Sequence, residues 1–437
     1  MNNRKRPFAD LSDEPLFNIK AVSQATGIEP VTLRAWERRY GVPDPDRSEQ
    51  GYRLYSERDI AILRWLKSRV DAGLTIKRAV MMMRAQNPQA DLPAPHVSRV
   101  AREGISLDVR LDQLLRAAHG FDALGAQRVI TEAFALFPVE DVCLHLLLPA
   151  LAAVGAQWRA GEASLQVEHF LTNLIRQQLL ALDATMPPPS RQGTVVAGCA
   201  PEEWHEMATL MLTVFLRRQG WEVIYLGQAV GLSQLEDALA TIRPDVVLLT
   251  SSTFESLDGL REAGERVMRR TQGGGTWFMY GGTLFPHVPG LADRIPGIYI
   301  GDTLPEAVQR IDGLLTGRWQ AVPHVPPPIS EHADHAYRTV SRMAPMLVES
   351  LAGLLREANP DQTLADVTED VLEMLAGLQA ALRLEMPELL DAPEPFIGPP
   401  LTERGVPAGR IAAVFHQLVG SDVMAILEPY LAHFWRR

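Results

Sequence analysis

The run Gly193-Thr194-Val195-Val196-Ala197-Gly198-Cys199-Ala200-Pro201-Glu202-Glu203-Trp204-His205-Glu206-Met207-Ala208 decides the fold. Thr194 to Val196 is β-branched and apolar, as a buried strand should be. From Met207 to Gln219 the apolar residues recur at helical spacing, and Gly220 stops the helix. Trp221 to Gly227 reads as the next strand. Strand, helix and strand in that order form a βαβ unit. His205 therefore stands at the carboxyl end of the first strand, on the rim where open α/β sheets bind ligands. Taken alone, a rim histidine is an ordinary residue.

Two more rim segments give it company. Leu248-Leu249-Thr250-Ser251-Ser252-Thr253 ends a strand, and Gly281-Gly282 closes Thr276-Trp277-Phe278-Met279-Tyr280. Together the three segments resemble the Rossmann-like domains that bind cobalamin with its nucleotide base displaced. In that family Asp/Glu-x-His-x-x-Gly is followed by Ser-x-Leu or Ser-x-Thr, then Gly-Gly, at nearly these spacings. The resemblance implies that His205 is the lower axial ligand of cobalt and Glu203 its acidic partner. It implies that Ser251, Thr253, Gly281 and Gly282 line a slot for the displaced nucleotide tail. Small residues suit such a slot, because a tail threads beside a sheet only where side chains leave room. The chain departs from the pattern at Ala208, where the family has glycine.

A chain of 437 residues is too long for one core and suggests three or four domains. Its 46% hydrophobic and 22% charged content is ordinary for a soluble protein. The sequence reads as having no apolar run long enough for a bilayer and no signal peptide, so a cytoplasmic protein without membrane contact is expected. Cys143 and Cys199 offer no disulfide framework and read as small buried hydrophobes. Net charge is −11, which argues against general coating of nucleic acid. Residues 17–86 nevertheless carry thirteen Lys and Arg against eight Asp and Glu. A basic module on an acidic body suits a DNA-binding head on a sensor.

Within that module, Asn18 to Thr26 reads as a short helix stopped by Gly27. Pro30 to Tyr40 reads as a second helix with proline in its first turn. A glycine turn between two short helices makes a helix-turn-helix, whose second helix can enter a major groove. Gly51 to Ser56 reads as a hairpin wing, and Ser56 caps a helix from Glu57 to Ala72. Thr32-Leu33-Arg34-Ala35-Trp36-Glu37-Arg38-Arg39-Tyr40 and Gly51-Tyr52-Arg53-Leu54-Tyr55 resemble the MerR-type winged helix-turn-helix. By that resemblance Thr32, Arg34, Arg38 and Arg39 face the groove and phosphates of double-stranded operator DNA. Tyr52, Arg53 and Tyr55 would set the wing on the DNA backbone, which positions the protein without reading bases. Leu33 and Trp36 read as core. The pattern fades into the linker Asn87 to His96, which leaves dimerisation through this module open.

From Ser106 to Met186 apolar residues recur at threes and fours, with turns near Gly120, Pro138 and Gly161. This predicts a bundle of about four helices. Trp158, followed after nine residues by Glu168-His169, resembles the helical cap of cobalamin-binding transcription factors and corrinoid carriers. The resemblance puts Trp158 against the upper face of the corrin and gives Glu168 and His169 to its upper ligand. Without it, Trp158 is a bundle residue and Glu168-His169 a surface pair.

The expected whole is multidomain: a winged helix-turn-helix head (17–86), a four-helix cap bundle (100–187), a doubly wound parallel five-stranded α/β sheet (190–320) and an α-helical C-terminal extension (336–437). Between the last two, Ala321 to Pro328 reads as a stiff proline-rich linker. The extension carries no recognisable motif; a dimerisation or ligand module both fit. No phosphate loop, nucleophile elbow or zinc-protease motif is present in the sequence.

This order of domains resembles the light-responsive, cobalamin-dependent repressors of carotenoid genes. That implies a non-enzymatic, cytoplasmic regulator in which adenosylcobalamin builds a dimer or tetramer that holds an operator until light breaks the cobalt–carbon bond. Two rival readings stay open: a corrinoid carrier of a methyltransferase system, and a sensor of this architecture using a bilin. One residue stands apart. After the cap tryptophan those repressors have a histidine that captures cobalt after photolysis, and here it is Arg159, which has no lone pair to give.

Overall fold

A computed structural model describes residues 12, 14–28, 32–33, 36–37, 42–43, 45–47, 53–71, 80, 106–270, 275–393 and 396–435. The chain forms two compact units, Met1–Val109 and Arg110–Arg437.

In the first unit β1 (Phe17–Asn18) leads into α1 (Ile19–Thr26). Asn18 caps α1 by accepting from the Ala21 amide, and Gly27 ends it at φ 65°, a left-handed turn that suits glycine. Residues 32–33 and 36–37 are helical. Strands β2 (Asp46–Arg47) and β3 (Arg53–Tyr55) complete an antiparallel sheet ordered β1-β3-β2, the expected wing. Ser56 and Asp59 cap α2 (Glu57–Asp71) reciprocally, each side chain accepting from the other's backbone amide. Leu33, Val22, Ile28, Tyr55 and Leu63 form the core, with Trp36 packed against it. Leu33 and Trp36 thus do what the sequence suggests.

The second unit begins with the cap: α3 (Leu107–His119), α4 (Ala123–Leu136), α5 (Val139–Val142), α6 (Leu148–Arg159) and α7 (Leu165–Ala184). A π turn at Cys143–Leu147 joins α5 and α6 into one rod. Pro149 supplies the reason, since it has no amide to give the Val139–Arg159 rod an ordinary hydrogen bond there. Counted as rods, the cap has four helices.

Five parallel strands follow: β4 (Thr194–Cys199), β5 (Glu222–Tyr225), β6 (Val246–Thr250), β7 (Trp277–Gly281) and β8 (Ile298–Tyr299). Their order is β5-β4-β6-β7-β8. Helices α8 (Met207–Arg218), α9 (Leu235–Ile242), α10 (Phe254–Arg270) and α11 (Leu304–Leu315) connect them. β6 is buried throughout, as a strand covered on both faces must be. The strand order reverses between β4 and β6, and at such a switch point the loops diverge to leave a crevice. The His205 loop follows β4 and the Ser251 loop follows β6.

The tail helices are α12 (Glu331–Ala358), α13 (Leu364–Leu384) and α14 (Ala408–Trp435). They do not form a core of their own. Phe254, Leu257, Leu260, Phe285 and Leu291 of the sheet region share one apolar cluster with Leu351, Leu378, Leu389 and Phe415 of the tail. Arg383 clamps the contact, binding Asp258 on α10 and Asp334 on α12. The proline-rich linker is likewise held down. His324 pairs backbone to backbone with Gly297 beside the edge strand β8, and the buried Arg261 guanidinium donates to the Pro327 carbonyl. An edge strand needs partners for its backbone, and a buried guanidinium needs acceptors.

Two helical stretches, Val139–Arg159 and Ala408–His433, the second kinked at Gly420, have the length and hydropathy to cross a bilayer. That corrects the expectation of no such run. In both, the most apolar residues are spent on cores: Leu146, Leu147 and Val154 in the cap, Phe415, Leu427 and Leu431 in the tail.

Candidate functional site

Between β4 and α8 the chain makes a short loop that exposes one imidazole. Glu203 has no exposed surface. One carboxylate oxygen accepts both the His205 amide and His205 Nδ1 at 2.8 Å. The other accepts the Ser252 amide and, at 3.1 Å, the Ser256 hydroxyl. Burial pushes the Glu203 carboxyl up, but the donors of His205 and Ser252 outweigh it and hold it below its ordinary range. The Glu203 hydrogen bond raises His205 above the usual imidazole value.

The chemistry of this pair is directional. A carboxylate only accepts, so Nδ1 carries the proton and a neutral ring keeps its lone pair on Nε2. The His205 side chain is 72% exposed. A histidine fixed at Nδ1 by a carboxylate and open at Nε2 is the form in which proteins hold metals.

Ser251 is buried and bonds Ser256 Oγ at 2.7 Å, and the Thr253 hydroxyl also points to Ser256. Ser256, on the first turn of α10, was not foreseen. The run Ser251-Ser252-Thr253 signals hydroxyls here, while Ser256 lies beyond it on the helix. Gly282 has φ 150°, and a Cβ there would lie 1.7 Å from the Ser251 carbonyl oxygen; one on Gly281 would lie 2.7 Å from Ile300. Gly282 lets the β7 loop lie against the end of β6, and Gly281 leaves room for Ile300 just beyond β8. Ala208 sits in the first turn of α8.

The cap brings its three residues to one end. Trp158 closes α6 and is 38% exposed. Glu168, on the first turn of α7, accepts from the Thr172 hydroxyl and pairs with His169 Nδ1 at 2.8 Å. The Glu203 hydrogen bond first, and the Glu168 charge to a smaller extent, raise His205 above its ordinary value. Arg159 is exposed, its guanidinium beside Gly155 on its own helix. Three ion pairs seat the cap on the sheet unit: Arg176 with Glu206, Arg217 with Asp183 and Arg218 with Glu140.

In the head, Thr32 is half-buried and helical. Arg53 gives its Nε to both oxygens of Glu37, at 2.8 and 3.1 Å. Tyr55 is wholly buried in the head's core with Leu33, beneath the wing rather than on its surface. Arg34, Arg38, Arg39 and Tyr52 lie outside the described residues. Both cysteines are buried, and burial pushes the thiols up to about 12 at Cys143 and about 11 at Cys199.

Residues 17–86 match the MerR HTH family regulatory protein model, and residues 110–182 and 193–305 match two B12 binding domain models. The chain is 32% identical over 260 residues to the HTH-type transcriptional repressor CarH of Myxococcus xanthus, spanning 58% of this chain and 85% of that protein. It is 33% identical to CarA of the same organism, over 54% of this chain and 76% of that protein. Among solved structures, the Methanosarcina barkeri monomethylamine corrinoid protein aligns at 19% identity and TM-score 0.39, covering 47% of this chain and 97% of that one. The tail lies beyond the matched domains. From head to sheet, the chain belongs to the CarH and CarA family of cobalamin-dependent, MerR-type DNA-binding transcriptional regulators.

Proposed function

We propose that this chain is a cytoplasmic, non-enzymatic repressor that takes adenosylcobalamin between cap and sheet and holds its operator as a homo-oligomer. His205 supplies the lower nitrogen to cobalt, Glu203 fixes its tautomer, and Ser251, Thr253, Gly281 and Gly282 border the nucleotide tail. Trp158, Glu168 and His169 shield the upper ligand. Thr32, Arg34, Arg38, Arg39, Tyr52 and Arg53 carry the DNA contacts. The bound cofactor contributes a cobalt–carbon bond that light can break; the protein contributes its orientation and the exclusion of water.

The observation that carries this reading is the Glu203–His205 pair, a fully buried carboxylate holding one nitrogen of an exposed ring. The test is a mobility-shift assay on the chain's own upstream DNA. Binding in the dark should require adenosylcobalamin, fall after illumination and weaken steeply with salt, because phosphate contacts release counterions. DNA binding indifferent to every cobalamin would refute it. Uptake of a bilin instead would transfer the architecture to another chromophore, and methyl transfer without DNA binding would favour a corrinoid carrier.

A further inference from the structure

His205 is flanked by two buried carboxylates, and only one belongs to the arrangement just described. Glu206 is 2% exposed and turns away from Glu203. Its Oε1 accepts from Arg176 Nε at 2.5 Å, and its Oε2 from the Tyr225 hydroxyl at 2.5 Å. It is also the N-cap residue of α8, yet its side chain makes no capping hydrogen bond. A carboxylate at a helix start is favoured by the helix dipole and can offer its oxygens to the free amides there. Here that role is given up for Arg176.

Arg176 belongs to the cap. It lies on α7, the helix whose first turn carries Glu168 and His169, roughly two turns further along. One stiff helix therefore presents the upper-face residues at its start and grips the residue after His205 lower down. Tyr225, at the end of β5, closes the other side.

We infer that Glu206, held by Arg176 and Tyr225, is a positioning residue that ties the stance of His205 to the seating of the cap. The inference rests on the cobalamin reading of His205. Glu203 anchors the histidine to the sheet; Glu206 anchors the same loop to α7. Any shift of α7 that follows a change on the upper face must then loosen or drag the loop that carries the lower ligand. By linkage, a firmly bound lower ligand favours the seated cap as strongly as the seated cap favours the ligand. Arg218–Glu140 also joins cap to sheet unit but touches no part of this loop, and it supplies the control.

The experiment uses the full chain with adenosylcobalamin, comparing Glu206→Gln, Arg176→Met, Tyr225→Phe and Arg218→Met. The readouts are the absorption signature of histidine-coordinated cobalamin and, in cofactor-free protein, amide hydrogen exchange of residues 200–207. Glu206→Gln and Arg176→Met should lower the histidine-coordinated fraction about tenfold, the scale of losses from outer-shell ligand partners. They should also speed exchange of the loop. Tyr225→Phe should act in the same direction and less, and Arg218→Met, which removes a cap contact outside the loop, should change both readouts far less than Arg176→Met. Wild-type readouts in Glu206→Gln and Arg176→Met would overturn the inference, as would equal losses in Arg218→Met. Should the wild type take up no cobalamin, the functional reading falls, and the exchange comparison alone decides whether Arg176 holds the loop.

Discussion

Glu203 and His205 are two residues apart, yet one has no exposed surface and the other shows 72% of its side chain, joined by a 2.8 Å hydrogen bond at Nδ1. The backbone turn after β4 makes this geometry, placing the acid under the sheet rim and the imidazole above it.

Glu203→Gln keeps the size of the acid and removes its charge. Each oxygen accepts two donors, and an amide nitrogen accepts none, so either Ser252 or His205 loses its backbone amide's partner. Stability should fall by about 1–3 kcal/mol, the cost of a buried unsatisfied group, and cobalamin affinity by about 10–100-fold. Denaturation and cofactor titration measure the two. Unchanged affinity would show that the orientation of His205 does not depend on Glu203.

How much of this was legible in the sequence follows from distance along the chain. α1 ends at Gly27 and α8 begins at Met207, both where cap and period signals put them. The tail is helical as expected, in three long helices. Ser256 and Arg176 were invisible because their partner, Glu203 or Glu206, lies in a distant segment, and such pairings leave no local period. The burial of Tyr55 was hidden for a related reason. Alternation in a three-residue strand does not say which face meets the core.

The tail's shared core has its own consequence. Phe254, Leu257, Leu260, Phe285 and Leu291 lose their cover if the chain is cut after residue 329. Each large apolar side chain exposed costs about 1.5–3 kcal/mol, so the shortened protein should aggregate or melt far below the full chain. Soluble expression and a thermal melt decide it. A truncated chain that melts like the full one would make the tail a separate domain after all.

Glu373 on α13 gives the tail a pH signature. Burial first, then Glu255, Asp370 and Glu369, push its carboxyl up to about 7. The nearby Arg404 is already paired with Asp370 and His433 with Asp391. A raised folded value means the folded chain binds this proton more tightly than the unfolded one. The protonated carboxyl's contribution is present at acid pH and lost as pH rises through about 7. Glu373→Gln should therefore raise the melting temperature at pH 8 and leave it nearly unchanged at pH 5. A rise confined to pH 5 would reverse the sign and refute the assignment.

Arg159 separates this chain from the pattern of the light-responsive repressors. A guanidinium has no lone pair for a metal, so illumination of the adenosylcobalamin-loaded protein should give no spectrum of two axial imidazoles. Arg159→His should create that spectrum. Its appearance in the unaltered protein would point to His169 as the capturing ligand.

On the reading proposed above, His205 is the protein's ligand to a bound cobalamin. Titrate wild type and His205→Ala with adenosylcobalamin in the dark and record absorption spectra after removal of free cofactor. The wild type should retain the cofactor with the signature of a displaced base and a coordinated imidazole, and the variant should lose that signature and retain at least tenfold less, as for a lost metal ligand. An identical histidine-coordinated spectrum in His205→Ala would contradict the account.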